Sequence, residues 1–347
     1  MTQPQPDISF VGSSCDSIPG ARRFSHQAMA TAFEVIIIHK DAHYAQQAAW
    51  AAFDELDKLE QQLSRFVENS DISRINNLAA NQPLQIGLAA FECLQLCASL
   101  YARTSGAFDI TIGSLMDCWL REDKTTRTPS KEQPPCLLSK TERGQARQRT
   151  GLHLIKLDET EHTVQLLTSH VQIDLGGIGK GYAIDQMAKL LGDWSIDSAL
   201  IHGGCSSVLA LRRPHSTKGW HLTLSNPPRR FASQTRSSGG KQTLAHLYLQ
   251  DRALSGSGLQ KGRHIIDPRK AQPAKGKRAA WACAPTAATA DALSTAFMVM
   301  SPDQIKKYCL SHPDTLAMVV AEDHAGEVQK DKILRYGLWG QNVLLKK

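Results

Sequence analysis

Between residues 171 and 185 the chain reads VQIDLGGIGKGYAID: an apolar run ends in the acid Asp174, then glycines fall at 176, 177, 179 and 181 before a helical pattern begins. Such a junction restricts the local backbone more than any other segment. Glycine lets the chain turn sharply and brings main-chain N–H groups to the start of a helix, where an anion is favoured. Lys180, inside the same turn, supplies a positive charge suited to a phosphate. The spacing is not that of a P-loop, which needs GxxxxGK[ST], nor of the GxGxxG turn of a dinucleotide-binding βαβ unit. Taken alone, the segment also fits a plain strand-to-helix turn.

Four other segments carry polar groups in patterned settings. In Ala290–Met300 (ADALSTAFMVM), Asp291 and Thr295 stand four apart and share one helical face, while Leu293, Phe297 and Met300 can pack. A carboxylate and an alcohol on one face give two hard oxygen ligands, which suits Mg²⁺. They equally fit an acid near a helix start and a threonine bonded back to the helix. Leu254–Pro268 (LSGSGLQKGRHIIDP) reads as a mobile polar turn at Ser255–Gly258 followed by His264, a residue able to take a proton from an alcohol. Gly106–Trp119 offers Phe108 for stacking and Asp109 as an acceptor, or else a helix stop and a core strand. Ser64–Asn76 offers Arg65 and Phe66 to an aromatic ring or a phosphate.

The remainder of the chain gives alternating elements without a βαβ period. Thr31–His39 predicts a buried strand, and Ala42–Phe66 and Leu88–Thr104 predict amphipathic helices. Short strands are expected at Leu152–Leu157, Thr163–Thr168, Val171–Asp174, Ala199–His202, Val208–Leu211, Trp220–Leu224 and Leu244–Gln250, with a last one at Thr315–Ala321. Helices are expected at Tyr182–Leu191, Thr286–Met300 and Pro302–Leu310. This mixture predicts an α+β fold of mostly antiparallel sheets with packed helices. Residues 1–22 read as a flexible tail, residues 23–347 as one domain, and the polar stretches near 121–150 and 227–241 as surface insertions.

Composition narrows the partners. The chain has 347 residues and a formal charge of +7, which favours an anionic partner such as a nucleotide. The excess is spread over loop-like stretches without the arginine–aromatic alternation of a nucleic-acid surface, so a solvated basic surface is expected and nucleic-acid binding is not. Cysteines at 15, 93, 97, 118, 136, 205, 283 and 309 form no CxxC pair, and buried reduced thiols are expected. No secretory signal is visible in Met1–Cys15, and no apolar run approaches the ~18 residues of a membrane helix. The expected compartment is the cytoplasm, or the periplasm or membrane surface if the true start lies elsewhere.

In order along the chain, Met29-Ala30-Thr31, SRF…NSDISRIN at 64–76, GAFDITIG at 106–113, IDLGGIGKGYAID at 173–185, HGG at 202–204, SGSG…GRHIIDPR at 255–269 and ADALSTAF at 290–297 together resemble the ApbE family of FAD:protein FMN transferases. The resemblance implies an ApbE-like, T-fold-related architecture. It further implies FAD as substrate in a cleft, Mg²⁺ at the pyrophosphate, and an acceptor Ser or Thr in a partner flavoprotein subunit. The implied metal ligands are Asp291, Thr295 and the carbonyl of Gly179; the implied flavin contacts are Met29, Phe66, Ala107, Phe108, Asp109, Tyr182 and Ile265. Lys180 is expected at the phosphates and His264 as candidate base. Departures from the family pattern are Ala30 for a turn glycine, Phe66 for tyrosine, Gly179 for alanine and Cys205 for an acid or amide. A magnesium-dependent FAD pyrophosphatase and an idle flavin-binding protein are the alternatives.

Overall fold

The computed structural model describes residues 8–9, 18–119, 140–225, 243–259, 264–322, 333–340 and 343–346. Its spine is an eight-stranded sheet. In chain order its strands are β2 (Ala21–Ala28), β3 (Thr31–Ile38), β7 (Ala199–Gly203), β8 (Ser207–Leu211), β11 (Arg252–Gly258), β14 (Lys277–Ala284), β15 (Leu316–Ala321) and β16 (Ile333–Tyr336). They lie side by side as β16-β15-β14-β11-β8-β7-β3-β2, and every ladder is antiparallel. Successive side chains on a strand point to opposite faces, and the core divides accordingly.

One face carries helices α1 (Ala42–Leu63), α6 (Gly179–Asp193) and α7 (Ala287–Val299). Phe33, Val35, Ile37, Ile201, Ala253 and Ala282 pack on that side. Ile36, Leu200, Val208, Leu254 and Trp281 face the other way. They meet β9 (Trp220–Ser225) and β10 (Thr243–Leu249), which sit between β1 (Ile8–Ser9) and β17 (Val343–Lys346) in a four-stranded sheet. A three-stranded sheet of β4 (Pro83–Gln85), β5 (Ile155–Asp158) and β6 (Thr163–Leu166) and a short pair, β12 (Ile266–Asp267) with β13 (Gln272–Pro273), complete the strands among the described residues. The remaining helices are α2 (Asp71–Asn76), α3 (Leu88–Arg103), α4 (residues 113–119), α5 (Lys140–Gln148) and α8 (Pro302–Ser311).

The α+β expectation therefore holds, with several local corrections. Ser255–Gly258 is not a turn but the end of β11, hydrogen-bonded to β8 and β14. Gly256 sits there because its bare Cα makes room for the Trp281 indole; a Cβ would lie 2.7 Å from it. Val171–Asp174 is not a ladder strand. It makes one isolated parallel bridge, Ile112 to Gln172; the Asp174 N–H donates to the Ile110 carbonyl at 2.7 Å, and Asn76 bonds both backbone groups of Ile173. Lys140–Gln148, read as part of a polar insertion, is helical and buries Ala146 against Leu115, Cys118 and Trp119. Ile8–Ser9 and Ala21–Arg22, read as tail, pair in sheets. Two strands, β16 and β17, follow the one expected to be last. Residues 121–139 and 227–241 lie outside the described residues.

Candidate functional site

Helix α7 is alanine-rich and buried on nearly all sides. Its interior polar residues Asp291, Ser294 and Thr295 fall on one stripe, at the i, i+3 and i+4 spacing that aligns neighbours on a helix surface. Asp291 is 3% exposed. Its Oδ2 accepts from Lys180 Nζ at 3.3 Å and from the Gly181 main-chain N–H at 3.2 Å. Its Oδ1 accepts from Ser207 Oγ at 3.2 Å. Thr295 Oγ1 lies 3.2 Å from Ser257 Oγ, which is 2.7 Å from Ser294 Oγ.

The glycine-rich turn faces this stripe. A Cβ on Gly177 would lie 3.1 Å from Thr295 Oγ1 and 3.4 Å from the Phe108 ring. Gly179 opens α6, and a Cβ on Gly181 would land on the Ala287 carbonyl oxygen. Glycine at 181 is thus what allows α6 and α7 to touch. Asp174 folds the turn back on itself: its Oδ1 accepts from Gly176 N at 2.6 Å, and its Oδ2 pairs with Arg65 Nε at 3.1 Å.

Of the sequence-predicted flavin positions, Phe108 and Tyr182 adjoin these elements. Phe108 borders Gly177. Ala107 and Asp109 are buried beside it, and the Asp109 carboxylate turns inward, its Oδ1 accepting from Thr111 N and Oγ1 at 2.8 and 2.6 Å. Burial raises the Asp109 carboxyl above its ordinary range, against the two Thr111 bonds. Tyr182 is buried on α6 and donates to Glu92 Oε2 at 3.4 Å; burial pushes its phenol well up. Met29 and Ala30 have φ of +50° and +57° and join β2 to β3. This is the mirror-image hairpin turn, kept here with alanine in place of a permissive residue. Phe66 is 85% exposed, with the Arg65 guanidinium 5.0 Å from its ring centroid. Ile265 is buried. His264 is half-buried immediately before it.

Several participants escaped sequence reasoning. Ser207 and Ser257 reach the stripe from adjacent strands, and Asp185 accepts from the Ala287 and Ala288 N–H groups at 2.7 and 2.8 Å. HGG followed by Cys-Ser-Ser was the available signal for Ser207. Asp185 looked like an ordinary helix-surface acid. His202, in the same HGG, is buried and its imidazole is held down to about 4 by that burial. Cys93, Cys97, Cys118, Cys283 and Cys309 are buried thiols, as expected, and Cys205 is partly exposed.

Two cavities lie to the side. One of about 320 Å³ is lined by Ser114, Asp117, Glu142, Arg149, His170 and Gln172 among others. Arg65 connects it to the turn, since it pairs with Asp174 and lies 3.9 Å from Asp117. The other, about 210 Å³ between Phe24, His26, Trp50 and Phe53, is on the outer edge of the main sheet. Neither is lined by Asp291 or Thr295. Among the described residues no helix is long and apolar enough to cross a membrane.

The site suits a small oxygen-liganded cation. Asp291 accepts three bonds of 3.2–3.3 Å, long enough to leave lone-pair capacity. Ser255 Oγ is buried without a hydrogen-bond partner and shares a strand face with Ser257. Glycine at 177 lets the backbone of the turn come close to the Thr295 hydroxyl, where a Cβ would lie only 3.1 Å from Oγ1.

Comparison with known proteins identifies the family. The chain is similar to the FAD:protein FMN transferase of Klebsiella pneumoniae (strain 342), with 26% identity over 303 residues covering 85% of this chain and 83% of the relative. It is similar to that of Escherichia coli (strain K12), with 26% identity over 322 residues and 86% of each covered. Its fold matches the ApbE protein of Thermotoga maritima at a TM-score of 0.74 and 23% identity, covering 91% of this chain and 97% of that one. It matches the flavin transferase ApbE of Vibrio cholerae at 0.74 and 19%, with the same coverage. With the ApbE family model matching residues 29–320, the chain belongs to the ApbE family.

Proposed function

We propose that this chain transfers the FMN moiety of FAD to a Ser or Thr hydroxyl of a partner flavoprotein, releasing AMP in a Mg²⁺-dependent reaction. The observation that carries the reading is the meeting of Asp291 and Thr295 with the glycine-rich turn, on a helix that is otherwise core. Relatives bearing the name FAD:protein FMN transferase support the reaction class.

Asp291, Thr295 and the Gly179 carbonyl would hold the metal, which when bound neutralises charge on the pyrophosphate. The chain's own contribution is positioning, which dominates phosphoryl transfer. In the glycine-rich turn the main-chain N–H groups of Gly177 and Lys180, with the Lys180 ammonium, hold phosphate oxygens; those of Gly176, Ile178, Gly179 and Gly181 are taken by Asp174, the Leu175 carbonyl and Asp291. Met29, Phe66, Ala107, Phe108, Asp109, Tyr182 and Ile265 form the flavin's surroundings. The acceptor oxygen bonds to the FMN-side phosphorus, and the bond from that phosphorus to the bridging oxygen breaks. AMP leaves with the electron pair, and the hydroxyl proton passes to a base, for which His264 is the candidate.

Incubation with FAD, Mg²⁺ and a candidate flavoprotein subunit tests the reading by in-gel flavin fluorescence. Fluorescence on the acceptor is expected. Free FMN and AMP with an unlabelled acceptor would instead identify the pyrophosphatase. Asp291→Ala is expected to lower transfer by roughly a hundredfold or more, since the one charged ligand is lost; full transfer at limiting Mg²⁺ would reject the metal assignment.

A further inference from the structure

Helix α7 is held at both ends by ionic side chains from other segments. At its start, the two Asp185 oxygens accept from Ala287 N at 2.7 Å and Ala288 N at 2.8 Å. At its end, the buried Lys277 ammonium donates to the Phe297 carbonyl at 2.6 Å and to that of Met300. Arg269 adds a bond to the Val299 carbonyl at 3.2 Å. A negative group at the N-terminus and positive ones at the C-terminus both match the helix dipole.

Asp185 is tied to the site through α6 as well. It stands one turn beyond Gly181, so the two share a helical face. That face meets α7 at two points. Gly181 lies against Ala287 and Ala288 and donates its N–H to Asp291, and Asp185 grips the first N–H groups of α7. Asp291 follows Ala287 by four residues, so any slide of the helix start carries the carboxylate with it.

Helix stability alone does not explain this acid. Thr286 already caps α7, its side chain accepting from Thr289 N. Burial makes the Asp185 charge unfavourable and raises its carboxyl to about 6. The Ala287 and Ala288 bonds act in the opposite direction, and the nearby Asp291 charge adds to the rise. A costly second cap is expected where geometry matters more than stability.

We infer that Asp185 is the positioning residue of this site: by gripping the first two N–H groups of α7 it sets where Asp291 and Thr295 stand against the glycine-rich turn. The inference rests on the metal reading of Asp291 and Thr295. It is tested by Mn²⁺ titration of the full-length protein with saturating FAD and no acceptor, followed by electron paramagnetic resonance. Asp185→Asn is expected to raise the Mn²⁺ dissociation constant by about tenfold or more, the usual effect of losing a group that orients a ligand. It should also lower kcat for transfer more than it changes KM for FAD. Leu200→Ala, cut into the core on the far side of the sheet, serves as a destabilised control and should leave Mn²⁺ affinity unchanged.

Ala287→Pro is a second variant. It deletes one donor at the first helical position, where proline is well tolerated, and Thr286 before it is already extended, at φ −117° and ψ 150°. It should weaken Mn²⁺ binding in the same direction, and it decides the question if Asp185→Asn does not fold. Tight Mn²⁺ binding by wild type with equal binding by the variants, or an equal loss in Leu200→Ala, overturns the positioning role alone. A wild-type protein that binds no Mn²⁺ overturns the metal reading and this inference with it.

Discussion

Helices α6 and α7 cross at the site, and their N-termini are finished in opposite ways. Helix α7 is closed twice, by Thr286 from its own chain and by Asp185 from its neighbour. Helix α6 begins after Ile178, whose side chain can cap nothing, and the Gly181 N–H is met by Asp291 across the crossing. Each helix thus supplies an acid to the other's start. One start is sealed by the two Asp185 oxygens. The other is met by the residue assigned to the metal. On the proposed reading, this start without a side-chain cap leaves the Lys180 N–H and the helix's partial positive charge toward a phosphate, while the sealed helix holds the proposed ligands in place. Binding and holding are divided between two elements of similar length.

Two glycines on α6 sharpen this contrast. Gly181→Ala should have the largest effect, because its Cβ would land on the Ala287 carbonyl and lie 2.8 Å from Ala288 Cα. Wedging the helices apart is expected to cost about 3 kcal/mol in thermal or denaturant unfolding, and to cut flavin transfer by on the order of a hundredfold. A variant with wild-type unfolding would mean that the helices do not meet as described.

The far end of α7 gives a pH-dependent test. Burial, and then the neighbouring Arg269 charge, hold the Lys277 ammonium down to about 8, with Asp267 opposing. A lysine that gives up its proton more readily when folded contributes stability that is full above the ordinary value of 10.5 and is lost as pH falls through about 8. Wild type should therefore gain stability relative to Lys277→Met between those limits, by up to about 3 kcal/mol. Guanidinium unfolding of both proteins near pH 8 and pH 10 measures it, and a constant difference would remove the buried charge from the description.

Gly179→Ala should have the smallest effect. Its Cβ would meet only Leu175 Cβ, at an ordinary 3.7 Å, and its carbonyl is retained. Stability is expected to rise by roughly half a kcal/mol, with turnover within about twofold of wild type in the fluorescence assay. A large loss would show that the start of α6 is tighter than the crossing suggests.

How far the site was legible in the chain follows the same division. Asp291 and Thr295 were readable because helical spacing fixes who shares a face, and the glycine-rich turn because few other residues allow such a bend. Contacts made across strands were not. Ser255 pairs with Ser207 in register, but a Ser-Gly-Ser-Gly run carries the composition of a turn, and only hydrogen bonding on both sides makes it a central strand. The Val171–Asp174 run has strand composition, yet Ile173 at its centre is met by an asparagine side chain from another segment, which no local pattern announces. Asp185 was hidden because an acid on an amphipathic helix ordinarily faces water. Lys140–Gln148 was missed because its apolar contact is a single alanine.

The Asn76 amide has one last consequence. It donates to the Ile173 carbonyl at 3.0 Å and accepts from the Ile173 N–H at 2.6 Å, while Arg65 grips Asp174 in the next residue. The segment bearing Phe66 is therefore pinned at both ends to the run, Ile173–Asp174, that enters the glycine turn. The ring is open to water, yet its backbone cannot drift, and Arg65 occupies one of its faces. A planar ligand settling on the free face meets a platform already in place and avoids much of the ordering cost of capturing a loose side chain, roughly 0.5–1.5 kcal/mol.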